Sequence, residues 1–158
     1  MGDIHSDWHD IPANGWDRKI EAKGGSNEQD GVDDNERLEF LGDAVLELCI
    51  SEEGFRRFPS AAEGQLTRIR SQLVKEQSLA AIARSLKLDR YIRLGRGEEL
   101  QGGRERDALL ADAFEAVMGA VFLDGGFVAA KGVILAIFED LWPLETMLPE
   151  AKDYKSRL

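Results

Sequence analysis

From Asn35 onward, apolar residues recur with the period of a helix and nowhere alternate with polar ones over a useful length. That periodicity excludes a sheet-based fold and predicts an all-α domain. In 35–55 the residues Leu38, Leu41, Val45 and Leu48 follow a 3,4,3 spacing, the stripe by which a helix buries one side. Phe58-Pro59-Ser60 stops this helix, and the same period returns in 63–74 and 78–86. A stretch rich in glycine and charge, 88–103, is expected to be irregular. Strong helices over 107–123 and 128–142 then follow, divided by Asp124-Gly125-Gly126 and closed by Pro143. In the helix over 107–123, Leu110, Phe114, Val117 and Val121 are the expected core side. No internal repeat is present.

The first 34 residues are of another kind. Pro12, Asn14-Gly15 and Gly24-Gly25-Ser26-Asn27 break any period, so 1–34 is expected to be an acidic, poorly structured arm anchored at most by Ile11, Trp16 and Ile20. His5 and His9 stand at i,i+4, a spacing able to ligate a metal, but have no compact neighbours; the arm reading is preferred.

Charge divides the same way. The 158-residue chain carries a formal −10, the wrong sign for a domain that coats phosphates, yet 1–34 alone holds nine acids against three bases. Between Arg56 and Arg106 there are twelve bases and six acids, a basic middle in an acidic chain. The single cysteine, Cys49, excludes an internal disulfide and any multi-cysteine zinc site, is most simply a small core residue, and makes a reducing compartment the default. No apolar run is expected to span a membrane, and the acidic N-terminus lacks the features of a signal peptide, so the expectation is a soluble cytoplasmic protein with no membrane partner.

Two acidic faces carry the chemistry. Glu36, Glu39, Asp43 and Glu47 occupy one narrow sector of the first helix, and Asp112 and Glu115 share a face of a later one. The first face alone permits two readings, a solvated acidic surface or one wall of a cation site. Like charges one turn apart repel, and neither Glu39 nor Asp43 has a base four positions on to offset them. Around the second pair, Ala108 and Gly119 are small enough to admit another helix. If that helix presents Glu39 and Asp43, four carboxylates meet that cannot all stay ionised without a cation. Oxygen ligands without His or Cys select Mg²⁺ or Mn²⁺.

The run Asn35-Glu36-Arg37-Leu38-Glu39-Phe40-Leu41-Gly42-Asp43-Ala44-Val45-Leu46 resembles the signature of bacterial ribonuclease III, a double-stranded-RNA endonuclease. Further likenesses succeed one another in the family's order: Phe58-Pro59, Glu63-Gly64, Leu66-Thr67 with Arg70, Leu73-Val74, Leu94-Gly95 with Gly97-Glu98, Gly102-Gly103, Leu110-Ala111-Asp112 with Phe114-Glu115-Ala116, and Leu123-Asp124-Gly125-Gly126. The resemblance implies the helical, homodimeric endonuclease-domain fold over 35–148, with 149–158 similar to the start of the linker into a double-stranded-RNA-binding domain. The helix carrying an Ala-Leu-Thr-His-x-Ser-like run, which normally precedes the signature, has no counterpart in 1–34.

By position, the resemblance assigns Glu39, Asp43, Asp112 and Glu115 as metal carboxylates, with Asp43 and Glu115 most directly catalytic. Glu36 and Glu63 correspond to accessory acidic positions and Phe40 to an aromatic that enters the partner subunit. Thr67 and Arg70 are candidates for RNA contact. The implied reaction is hydrolysis of double-stranded RNA with Mg²⁺, for which Mn²⁺ can substitute, leaving 5′-phosphate and 3′-hydroxyl ends in ribosomal precursor and messenger RNA processing. Two alternatives stand beside it: a catalytically idle, RNA-binding or ribosome-associated relative, and a metal phosphohydrolase on another helical fold.

Overall fold

The structure, a computed structural model, describes residues 28–92 and 103–148. The expectations for His5, His9 and the N-terminal anchors, for Leu94-Gly95 with Gly97-Glu98, and for 149–158 lie outside the described residues. The chain divides into two compact units, Met1–Asp34 and Asn35–Leu158, and the core and the acidic faces belong to the second.

Helix α1 spans Glu28–Arg57 and so starts ahead of the expected Asn35. Arg56 and Arg57 fill its last turn, where cations complement the exposed carbonyls. Beyond it the chain turns back, with the Phe58 N–H bonded to the Gly54 carbonyl at 3.0 Å. Helix α2, Glu63–Val74, begins with half of a capping box: the Gln65 side-chain oxygen accepts the Ala62 N–H at 2.8 Å, and Ala62 offers no acceptor in return. The single extended residue Lys75 separates it from α3, Glu76–Ser85. Lys87, in the left-handed region at φ 61°, ends that segment before a short 3₁₀ turn at Leu88–Arg90. Helix α4 runs Gly103–Phe138, with turns at Glu139–Leu141 and Glu145–Met147 after it. No strand occurs among the described residues.

Where the sequence suggests two helices parted by a loop at 124–126, the chain stays helical on both sides, and Gly126 alone departs, at φ 83° and ψ −179°. That conformation is open essentially only to glycine. As one element, Arg106–Leu141 is long and apolar enough to cross a membrane by length and composition, which corrects the expectation that no run approaches that length. Gly126 breaks the run, however, and Phe114, Met118, Ala130, Ile134 and Phe138 from both sides of it are buried in the domain core.

That core joins Leu46, Cys49 and Ile50 of α1, Leu79, Ala80 and Ala83 of α3, and the buried residues of α4. Phe114 and Phe138 meet edge-on at 6.4 Å. Each large side chain buried here contributes roughly 1.5–3 kcal/mol. The buried side of α1 is rotated from the expected stripe: Leu46, Cys49 and Ile50 point inward, Leu38 and Leu41 are half-buried, and Leu48 is 55% exposed. On α4, Met118 is buried while Val117 faces out. Both helices carry apolar residues around more than half their circumference, so period alone does not select the inner side.

Behind α1, Arg57 closes a small polar clasp. Its Nε donates to buried Glu53 at 3.0 Å, its Nη2 donates to Glu139 at 2.8 Å, and its guanidinium lies 5.1 Å from the centre of the Trp142 ring. Glu53 Oε2 and Trp142 Nε1 are buried there without a hydrogen-bond partner among the described residues; Arg56 approaches Glu53 Oε2 only to 3.8 Å. The C-terminal turns are thereby fastened to α1.

Candidate functional site

Helices α1 and α4 cross at two buried glycines. A methyl group on Gly42 would overlap the Glu115 carbonyl oxygen and stand 2.9 Å from the Gly119 nitrogen. One on Gly119 would overlap the Leu38 carbonyl oxygen and stand 3.1 Å from the Gly42 nitrogen. The two backbones are therefore in contact, closer than helices bearing side chains at the crossing can come. Glu39 and Asp43 flank Gly42, and Glu115 lies one turn before Gly119, so the same crossing brings the two acidic faces together. Gly119 is visible in the sequence as a small residue beside the second pair; its counterpart Gly42 shows its role only in the structure.

The electrostatics report how close the groups come. Burial pushes the Glu115 carboxyl up to about 7, reinforced by Asp43, then Asp112, Glu39 and Glu47. Glu39 is also raised, first by burial and then by Asp112 and Glu36, against the opposing effect of Asn35, whose Nδ2 donates to Glu39 Oε1 at 3.1 Å. Asp112 is raised by partial desolvation and by Glu76, at the start of α3. Glu76 escapes a reading of the sequence because its only signal there is an acid in a first helical turn, a common helix start.

Of the assigned residues, the structure thus brings together Glu39, Asp43, Asp112 and Glu115, with Glu36 beside Glu39. Glu63 accepts the Thr67 hydroxyl at 2.9 Å on its own helix. Arg70, a candidate for RNA contact, turns toward α1 and donates from Nη1 to Ser51 Oγ at 3.0 Å. Phe40 is 81% exposed, which excludes a core role, and continues with Ala44, Leu48 and Phe55 as an outward apolar stripe.

The donor set fits a hard divalent cation: it is all oxygen, and burial and then the neighbouring carboxylates keep one member protonated above the ordinary carboxylate range. Among the described residues no three or more His, Cys, Asp or Glu side chains are drawn tightly enough to cage an ion. Mutual repulsion keeps unneutralised carboxylates apart, so the crossing supplies the carboxylates and a cation would have to draw them in.

An all-helical domain with acidic faces opposed across a glycine crossing is the class that fold and site define. The Ribonuclease-III-like family matches residues 24–141, and the chain belongs to that family. It is 64% identical over 128 residues to Ribonuclease 3 of Nitratidesulfovibrio vulgaris, covering 80% of this chain and 50% of that protein. To Ribonuclease 3 of Oleidesulfovibrio alaskensis it is 58% identical over 127 residues, covering 80% and 56%. The chain spans about half the length of these relatives. Among solved structures it is similar to the nuclease domain of ribonuclease III from Campylobacter jejuni, with a TM-score of 0.64 and 47% identity over 70% of this chain and 77% of that one. That domain shows structural flexibility in a region involved in dimer formation. Nothing in these likenesses favours an idle relative or another helical fold.

Proposed function

We propose that this chain is the nuclease part of a ribonuclease III: a divalent-metal endonuclease that hydrolyses double-stranded RNA and leaves 5′-phosphate and 3′-hydroxyl ends. The observation that carries the reading is the Gly42–Gly119 crossing, which sets Glu39 and Asp43 against Asp112 and Glu115 and leaves Glu115 holding a proton to about pH 7. Those four carboxylates would hold the cation, Mg²⁺ or Mn²⁺. Such an ion would neutralise phosphate charge and ease deprotonation of the water that attacks phosphorus.

The chain's own contribution is placement. The glycine crossing fixes the backbones behind Glu39, Asp43 and Glu115. Asn35 orients Glu39 through its amide, and Glu36 and Glu47 add negative field that strengthens the pull on any positive charge, proton or cation. With the six acids Glu36, Glu39, Asp43, Glu63, Asp112 and Glu115 committed to metal and cleft, 35–158 retains seventeen bases against fifteen acids, a mildly basic surface for phosphates. Duplex RNA would be recognised by shape, through phosphates and 2′-hydroxyls. Two copies would join through Phe40 and its stripe, giving two centres, one for each strand. The setting of this work would be the cytoplasm, in maturation of ribosomal precursors and messengers.

The test is cleavage of an end-labelled RNA duplex with Mg²⁺ and with chelator, the ends identified by phosphatase and ligase sensitivity. Cleavage equal with chelator, or ends bearing 3′-phosphate, would reject the reading.

A further inference from the structure

Away from the carboxylates, α2, α3 and the C-terminal turns enclose a half-open cavity of about 480 Å³, within the range of small-molecule sites. Its floor is Ile69, Leu73 and Ile82, all buried, and its rim carries Leu141 and Met147, which are 47% and 71% exposed. Leu141 sits on the turn that Arg57 fastens through Glu139, so that part of the third wall is held in place.

The polar groups of the lining are biased. Gln72 Oε1 accepts from Lys75 at 3.0 Å, the Gln72 carbonyl accepts the Ser78 hydroxyl at 2.7 Å, and Gln65 Oε1 accepts the Ala62 N–H at 2.8 Å. These acceptors are already engaged within the protein. Arg68 is the one charged side chain in the lining, and among the described residues no acid pairs with it within 4.0 Å. An apolar floor, occupied acceptors and an unpaired guanidinium at the edge complement a ligand with an aliphatic body and an anionic head.

We propose that this cavity binds a small amphipathic anion, a carboxylate on a short aliphatic chain, with Arg68 taking the charge and Ile69, Leu73 and Ile82 the chain. The site is separate from the carboxylate cleft, and the proposal does not depend on the nuclease reading.

Octanoate and its neutral counterpart 1-octanol are the probes, titrated calorimetrically into the 158-residue chain. Octanoate is expected to bind one per chain, about tenfold tighter than octanol, the value of one charge-assisted contact. Arg68→Gln, at an exposed position, should bring octanoate to the level of octanol and leave octanol unchanged. Ala81→Trp, which fills the cavity from α3, should weaken both ligands. Methyl NMR should show octanoate shifting Ile69, Ile82 and Met147. Equal affinity for the two probes, no response to Arg68→Gln, or methyl shifts confined to other parts of the domain would overturn the proposal, whatever the result of the RNA cleavage assay.

Discussion

Gly42 and Gly119 touch backbone to backbone, and each occupies space that any side chain would take from the other helix. Gly42→Ala drives a methyl into the Glu115 carbonyl, so the helices must part at the point that aligns the carboxylates. The expected loss is about 3 kcal/mol or more, at the upper end of single substitutions, seen as a lower urea midpoint with unchanged slope. Gly132→Ala is the contrast: a methyl there meets nothing within 4 Å, inside a helix, and should add about 0.5–1 kcal/mol.

Under the proposed function, Asp43→Asn and Glu115→Gln each remove the charge of a proposed ligand with little change of volume. Cleavage of duplex RNA in Mg²⁺ should become undetectable while the circular dichroism spectrum is retained. Near-parental cleavage by either variant would remove that residue from the centre.

The pH dependence of stability without metal has a definite sign. Glu115 titrates near 4.5 when unfolded and about 7 when folded, so between these values the folded chain holds a proton that the unfolded chain has released. Stability from this group therefore falls as pH rises from about 4.5 to about 7 and is level beyond; Glu39 and Asp112, both raised, act the same way. The groups are only partly buried, so the slope is smaller than full linkage implies. Urea midpoints across this range should fall in chelator, fall less in Mg²⁺, and flatten in Glu115→Gln.

Phe40, exposed at 81%, should anchor the contact between two copies. Phe40→Ala is expected to cost roughly 2 kcal/mol of association. Light scattering across a dilution series checks this; a parent chain that stays monomeric when concentrated would contradict it.

Arg57→Leu strands the buried Glu53 carboxylate and frees Glu139. Leaving one partner of a buried charged pair alone should cost about 3 kcal/mol, and Glu53→Leu placed with it should recover much of the loss. Denaturation of the two variants decides the point.

The helical class, the break at Gly126 and the limits of α2 at Glu63 and Val74 are legible in the sequence because each rests on local signals: period, glycine and a stop. The four carboxylates are also legible, since their spacing puts each pair on one face. The inward face of α1 is not, because apolar residues lie on two of its sides and only the crossing with α4 selects between them. Gly42, Glu53 and Glu76 are missed for a related reason. Their roles depend on partners beyond any local pattern: Glu115 and Gly119 for the first, the Arg57 clasp for the second, Asp112 for the third.

The Arg57 clasp also sets how the domain bears force. Tension applied at Leu148 passes through the turn at Glu145–Met147 to Trp142 and Glu139, enters α4 along the backbone at Phe138, and is shared by the guanidinium with the last turn of α1. The carboxylates of α1 lie earlier along the same helix, around Gly42, upstream of where that load enters. A pull on Leu148 thus reaches both helices of the crossing, α4 through the backbone and α1 through the clasp, so the two that align the acids are loaded together.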